Sequence, residues 1–134
     1  MCRKVFPLIL SCLCSFAYGQ HDDRISTIDF VQILNDNEAE VKYYYENNWM
    51  VLRKMAIEKG YIHSYELMEV PTSEEAPFQL ILITTYKDQK QYDAREEHFG
   101  ELIKAKGELK LLNGKKPGEF RKTLFGKDMV RHWK

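Results

Sequence analysis

The chain has 134 residues, with 20 Lys and Arg against 20 Asp and Glu, three cysteines and 44% hydrophobic residues. This suffices for one packed domain and is too little for two once a leader is set aside. A balanced charge argues against nucleic acid as a partner.

The opening MCRKVFPLILSCLCSFAYGQ is basic at Arg3 and Lys4, apolar from Val5 to Ala17, and has small residues at Ala17 and Gly19 where a signal peptidase reads. It predicts a secretory signal peptide over 1–19, cleaved after Gly19 or Gln20, and a single domain over 20–134 that is secreted or periplasmic. The apolar run is shorter than the about 20 residues a spanning helix needs, so no membrane span is expected after cleavage. A lipid on Cys12 or Cys14 is the rival reading of this segment. Cys2, Cys12 and Cys14 all fall inside the leader, so the mature chain has no disulfide framework. Charge is uneven: His21 to Ile103 holds 8 basic and 17 acidic residues, and Lys104 to Lys134 holds 10 and 3. A basic tail folded over an acidic body accounts for this; so would a docking surface for an anion, or complementary halves of a dimer.

RISTIDFVQIL, Arg24 to Leu34, is rich in Ile, Val, Phe and Thr and predicts the first strand. Asn35, Asp36 or Asn37 can cap a helix over about Glu38–Lys59, closed by Gly60. Val41, Tyr44, Tyr45, Trp49, Leu52, Met55 and Ala56 share its broad apolar side, so the run of three tyrosines is read as core. Tyr43, Met50 and Ile57 form a thin stripe opposite. YIHSYELMEV (Tyr61 to Val70) and FQLILITTY (Phe78 to Tyr86), joined by PTSEEAP, predict an antiparallel hairpin. Phe78, Leu80 and Leu82 project to one face of the second strand, and Gln79, Ile81 and Ile83 to the other, so two covers are needed.

Asp88, with Gln91 in capping-box position, opens a second helix that Gly107 closes. Tyr92, Phe99, Leu102 and Ile103 form its buried stripe, with Arg95 within the stripe and His98 at its edge. A guanidinium there must find a carboxylate or a bound anion, and Glu66, Glu69 and Asp29 are the expected structural partners. The tail LKLLNGKKPGEF carries an Asn-Gly turn and Pro117 at a helix start, and DMVRHWK reads as a last strand. No metal-ligand spacing, phosphate loop or Gly-x-Ser-x-Gly occurs, and no metal is expected.

The order strand, helix, strand, strand, helix, strand is an α+β, ferredoxin-like βαββαβ arrangement with both helices on one face of an antiparallel sheet. The segments EVKYYYENNW through KGYIHSYELMEV and FQLILITTYKDQKQYDAREEHF resemble the dimeric α/β-barrel superfamily. Its members include antibiotic-biosynthesis monooxygenases, haem-degrading monooxygenases and NIPSNAP-like proteins; the chain looks most like small secreted bacterial members without an assigned activity. The resemblance implies a homodimer with two sheets face to face, and a ligand between sheet and helices near Tyr65 or His63, Thr84 or Thr85, and Arg95 or His98. His98 matches the second-helix histidine of the haem-degrading members. Their third-strand tryptophan is absent here and Asn35 falls at the extreme end of the first strand, so haem degradation is not implied and no cofactor is expected. Two functions follow. One is a domain that binds a small apolar or weakly anionic molecule, or a protein partner, with Arg95, Tyr65 and Thr84 as ligand-binding residues. The other is a cofactor-independent monooxygenase-like enzyme for a small aromatic substrate, with His98 or His63 as base.

Overall fold

The computed structural model describes residues 22–133, so the expected signal peptide, its expected cleavage site and the cysteines lie outside the described residues. β1 (Ile25–Ile33) is built from residues suited to a pleated, half-buried surface. Asn35 and Asp36 then take φ of +53° and +54°, a conformation their short polar side chains tolerate. Asn37 stands at the helix N-cap but makes no cap bond with its side chain. Its Nδ2 donates instead to Leu34 O and Glu119 O, and its Oδ1 accepts from Lys115, which ties the turn to the tail.

The first long helix is not the uninterrupted one expected. It runs as α1 (Glu38–Tyr44), a π-helical turn (Tyr45–Trp49) and α2 (Met50–Glu58). In the turn the Met50 N–H bonds Tyr45 O, five residues back. The side chains of Asn47 and Asn48 donate to Tyr43 O and Tyr44 O. Gly60, at φ +71°, ends this helix.

β2 (Ser64–Glu69) and β3 (Leu80–Tyr86) pair antiparallel as expected, over shorter spans. The Tyr61 N–H is taken by Ala56 O at 2.8 Å, so Tyr61 belongs to the helix exit. Gln79 precedes β3 and accepts from the Ile33 N–H with its side-chain oxygen at 2.9 Å. The second helix is split at Ala94 into α3 (Gln89–Asp93) and α4 (Arg95–Lys106). Asp88 does cap it, accepting from the Gln91 N–H at 2.8 Å. Gln91 also ties back to the end of α2 by donating to Gly60 O.

After α5 (Pro117–Phe120) comes β4 (Arg121–Arg131), which starts well before the expected DMVRHWK. Two irregularities in its pairing with β1 break the alternation that marks a strand in sequence. The sheet order is β2-β3-β1-β4, antiparallel throughout.

The helices take one face of this sheet. Ile25, Tyr86, Ala56, Ile62, Tyr92 and Leu102 form one buried cluster, and Val31, Val41, Tyr45, Leu80, Leu82 and Phe120 another. Leu80 and Leu82 are therefore the helix-facing set, and Ile81 and Ile83 face away. Phe78 does not join Leu80 and Leu82, because it lies before the strand; it meets Phe30 edge-on at 4.8 Å, and Phe30 stacks on Phe125 at 4.6 Å. Phe125 is 49% exposed. Tyr43, Met50 and Ile57 do not make one surface: Met50 lines a cleft with Leu67 and Leu80, and Ile57 is in solvent.

The basic tail does fold over the acidic body. Lys115 pairs with Glu40 at 3.2 Å, and the Asn113 side chain donates to the same carboxylate at 3.1 Å. The Asn113 bond, the backbone and Lys115 together hold the Glu40 carboxyl below its ordinary range. Asn48, 2% exposed, clamps the segment before the Asn-Gly turn. Its Oδ1 accepts from the Lys106 ammonium at 2.7 Å and the Lys110 N–H at 2.8 Å, and its Nδ2 donates to Lys110 O at 2.7 Å.

Candidate functional site

Between the helices and the sheet lies an open cleft of about 430 Å³, bordered by Thr27 and Asp29 of β1, Leu52 and Arg53 of α2, Tyr86 of β3, Asp128 of β4 and one face of α4. Its centre is Arg53. Four residues after Trp49, it falls about 40° from that ring around the helix and so on the inner side. The guanidinium is sandwiched, with its carbon 4.5 Å from the Trp49 ring centre and 4.4 Å from that of Phe99. Two desolvated cation–π contacts of this kind are worth roughly 1 to 2 kcal/mol each.

A planar group covered on both faces keeps only its edge for hydrogen bonds. The Nε corner donates to Thr84 Oγ1 at 3.1 Å. The two Nη groups bond no described residue, and no carboxylate among the described residues lies within ion-pair distance of them. Burial pushes the Arg53 pKa down to about 10, against the opposing pull of Tyr86 and Asp29, so the group stays cationic at neutral pH. The result is a fixed positive charge with its donor edge in a cleft.

Asp29 and Asp128 supply the opposite charge. Loss of surrounding water raises the Asp29 carboxyl above its ordinary range; Arg53 works against this, Asp128 adds to it and Arg121 opposes it. Tyr86 is 2% exposed, and burial raises its pKa against the pull of Arg53 and Arg95. Leu52, Phe99 and Ile103 make the apolar part of the wall.

The sequence-derived candidates divide around this centre. Thr84, 2% exposed, is a positioning residue that holds Arg53 by its Nε. Tyr65 lies edge-on to Trp49 at 5.7 Å and supports that ring. Arg95 borders the cleft, but its partners are not Glu66, Glu69 or Asp29: its guanidinium lies 4.0 Å over the Tyr92 ring and donates to Tyr92 O at 3.1 Å. Thr85, facing the other side, bonds Ser26 at 2.7 Å.

Neither histidine lines the cleft. His63 is exposed ahead of β2. His98 stacks flat on Tyr61, 3.7 Å between centroids, with its Nδ1 buried and unbonded. A haem site built on His98 finds no support in this packing. Among the described residues no three His, Cys, Asp or Glu side chains gather as a metal set. Arg53 and Asp128 were not singled out by the sequence pattern, and Asp29 and Phe99 were read from it only as an ion-pair partner and as core, not as cleft residues. The one available signal was an arginine set between Trp49 and Ala56 on the apolar side.

No family model matches the chain, and no curated protein is similar to it at a significant level. Solved structures are similar in fold. HapK from Hahella chejuensis superposes with a TM-score of 0.50 at 10% identity, over 81% of this chain and 92% of that one. The fold is ferredoxin-like. An uncharacterised NIPSNAP-like domain protein from Burkholderia xenovorans gives 0.47 at 9% identity, over 84% and 88% of the two chains. A protein described as an antibiotic biosynthesis monooxygenase from Nitrosomonas europaea gives 0.42 at 16%, over 84% and 95%. At 10% identity the likeness to HapK concerns the fold alone.

Proposed function

We propose that this protein is an exported, homodimeric binding domain whose helix–sheet cleft takes a small molecule by an anionic group against Arg53. The observation that carries this is the sandwiched guanidinium at the border of the cleft, whose two Nη groups bond no described residue. A cation held this way has lost most of its water and most of its rotamer freedom before a ligand arrives. A carboxylate can therefore bind it bidentately at little further entropic cost. Leu52, Phe99 and Ile103 give an apolar body somewhere to rest. A turnover role based on His98 or His63 as a base has no geometric support, since both lie away from the cleft.

Dimerisation is proposed through the uncovered sheet face, where Ile28, Phe30, Ile81, Ile83 and Phe125 stand together without a helix over them. Export rests on the leader pattern, and N-terminal sequencing from the native host should find Gln20 or His21 first; an intact Met1 would refute it.

The cleft is tested by titrating 3-phenylpropanoate into the mature protein by calorimetry. Saturable binding that is lost in Arg53→Gln is expected. Equal heats from wild type and Arg53→Gln would overturn the assignment.

A further inference from the structure

Resting on that reading of the cleft, we infer that the ligand is a compact zwitterion of the amino-acid type: a carboxylate for Arg53, an ammonium for Asp29 and Asp128, and an apolar side chain for Phe99, Leu52 and Ile103. The cleft brings these groups together from four elements, β1, α2, α4 and β4.

The placement of the two carboxylates carries the inference. In the β1–β4 ladder Asp29 lies opposite Gly126. A Cβ at position 126 would stand 2.6 Å from Asp29 Oδ1, so glycine there leaves the room in which the carboxylate lies across β4. Gly126 does not have a positive φ, so the backbone conformation does not demand it; the demand comes from the Asp29 side chain. Next along the strand, Ser26 pairs with Val130 and Ile28 with Lys127, which leaves Asp128 and Met129 both opposite Thr27. This is the count of a β-bulge, a feature that re-aims a side chain, and Met129 absorbs it at φ +54°. Asp128 consequently borders the same cleft as Asp29.

Neither carboxylate makes an ion pair with a described residue. Arg53 is near enough to act on Asp29 electrostatically without pairing with it. Asp29, Asp128 and the Arg53 guanidinium border one space without pairing across it, with Glu96 and the Tyr92-held Arg95 also on its rim, and such charges are costly when the space is closed by an apolar ligand. A purely anionic ligand satisfies Arg53 and leaves both carboxylates uncompensated. A purely cationic one does the reverse. An ammonium and a carboxylate on one small frame satisfy all three. Two acidic groups beside a fixed guanidinium are a poor site for a divalent metal ion, which needs more oxygen ligands and no neighbouring cation.

The test compares three probes that differ by one charged group: L-phenylalanine, 3-phenylpropanoate, which lacks the amine, and 2-phenylethylamine, which lacks the carboxylate. Calorimetry on the mature chain should find phenylalanine tighter than either of the others by about tenfold, the scale of one charge pair lost at the edge of a cleft. In Asp29→Asn/Asp128→Asn the preference for phenylalanine over phenylpropanoate should disappear, with both still dependent on Arg53. Gly126→Ala, which crowds the Asp29 carboxylate and leaves every charge in place, should weaken phenylalanine and spare phenylpropanoate. If phenylpropanoate binds as tightly as phenylalanine and loses affinity in Arg53→Gln, the zwitterion is refuted and the anion site stands. If no probe binds in an Arg53-dependent way, both are refuted. Circular dichroism of each variant separates loss of binding from loss of fold, and Arg53→Lys, which keeps the charge, provides a folded reference.

Discussion

Asn48 is the strongest point of contact between the helical body and the tail, and replacing it with alanine should be costly. The side chain, 2% exposed, makes four hydrogen bonds: to Tyr44 O, Lys110 O, the Lys110 N–H and the Lys106 ammonium. A neutral buried bond is worth about 1 kcal/mol net, and a buried group left without a partner adds a desolvation cost. The partly exposed ammonium contributes little. Asn48→Ala should therefore lose about 3 to 4 kcal/mol, a large share of the roughly 5 to 15 kcal/mol that holds such a domain together. For a domain of this size that is a fall of roughly 10 to 20 °C in Tm, read by far-UV circular dichroism during heating. Asn48→Asp should do no better than alanine. It retains the acceptor for Lys106 and Lys110 but sets carboxylate oxygens against Tyr44 O and Lys110 O. A Tm within about 2 °C of wild type for Asn48→Ala would show that the tail is not docked through this residue.

Further outcomes are expected at other positions. Trp49→Ala should cost about 3 kcal/mol in urea unfolding, the low end for a large aromatic because the ring is only partly buried, whereas Tyr43→Ala should cost under about 1 kcal/mol. The reverse order would mean that the helix faces the other way. Asp29 has a raised pKa, so the stability its protonated form contributes is present below the ordinary carboxylate range and lost as pH rises through the raised value. Asp29→Asn should accordingly raise Tm at pH 7, with the gain shrinking as pH falls below that range; a gain independent of pH would refute the cause. Ile81→Lys, on the uncovered face, should convert a dimer to a folded monomer in light scattering, while Leu82→Lys, 4% exposed under the helices, should unfold the protein. A wild-type monomer at every concentration would remove the dimer.

The sequence made some parts of this structure legible and concealed others, for physical reasons. β1, β3 and the cap at Asp88 are local matters: β-branched runs and an Asx side chain accepting an N–H three residues on carry their own signature. β4 was displaced because its two pairing irregularities break the period of two on which strand recognition depends. The π turn leaves no pattern in residue type, beyond the two asparagines whose side chains bond carbonyls one turn back. The reasoning that an arginine in an apolar stripe needs a partner was sound, but it was applied to Arg95, which satisfies itself on Tyr92. In sequence Arg53 stands with Lys54 and Lys59 as a charge suited to a helix C-terminus. Only the tertiary stacking of Trp49 and Phe99 distinguishes it. Asp29 and Asp128 come from the first and last strands, and no local window could have joined them.

The central claim is that the edge of Arg53 is the anion receptor of the cleft. Its side-chain Nε–H bonds Thr84 Oγ1 from within a ring sandwich, so it should give a protected, resolved signal in a 15N–1H spectrum. On titration with 3-phenylpropanoate that signal is expected to shift in step with the calorimetric isotherm, while the Arg95 signal moves little. Binding that saturates with the Arg53 signal unmoved would contradict the account.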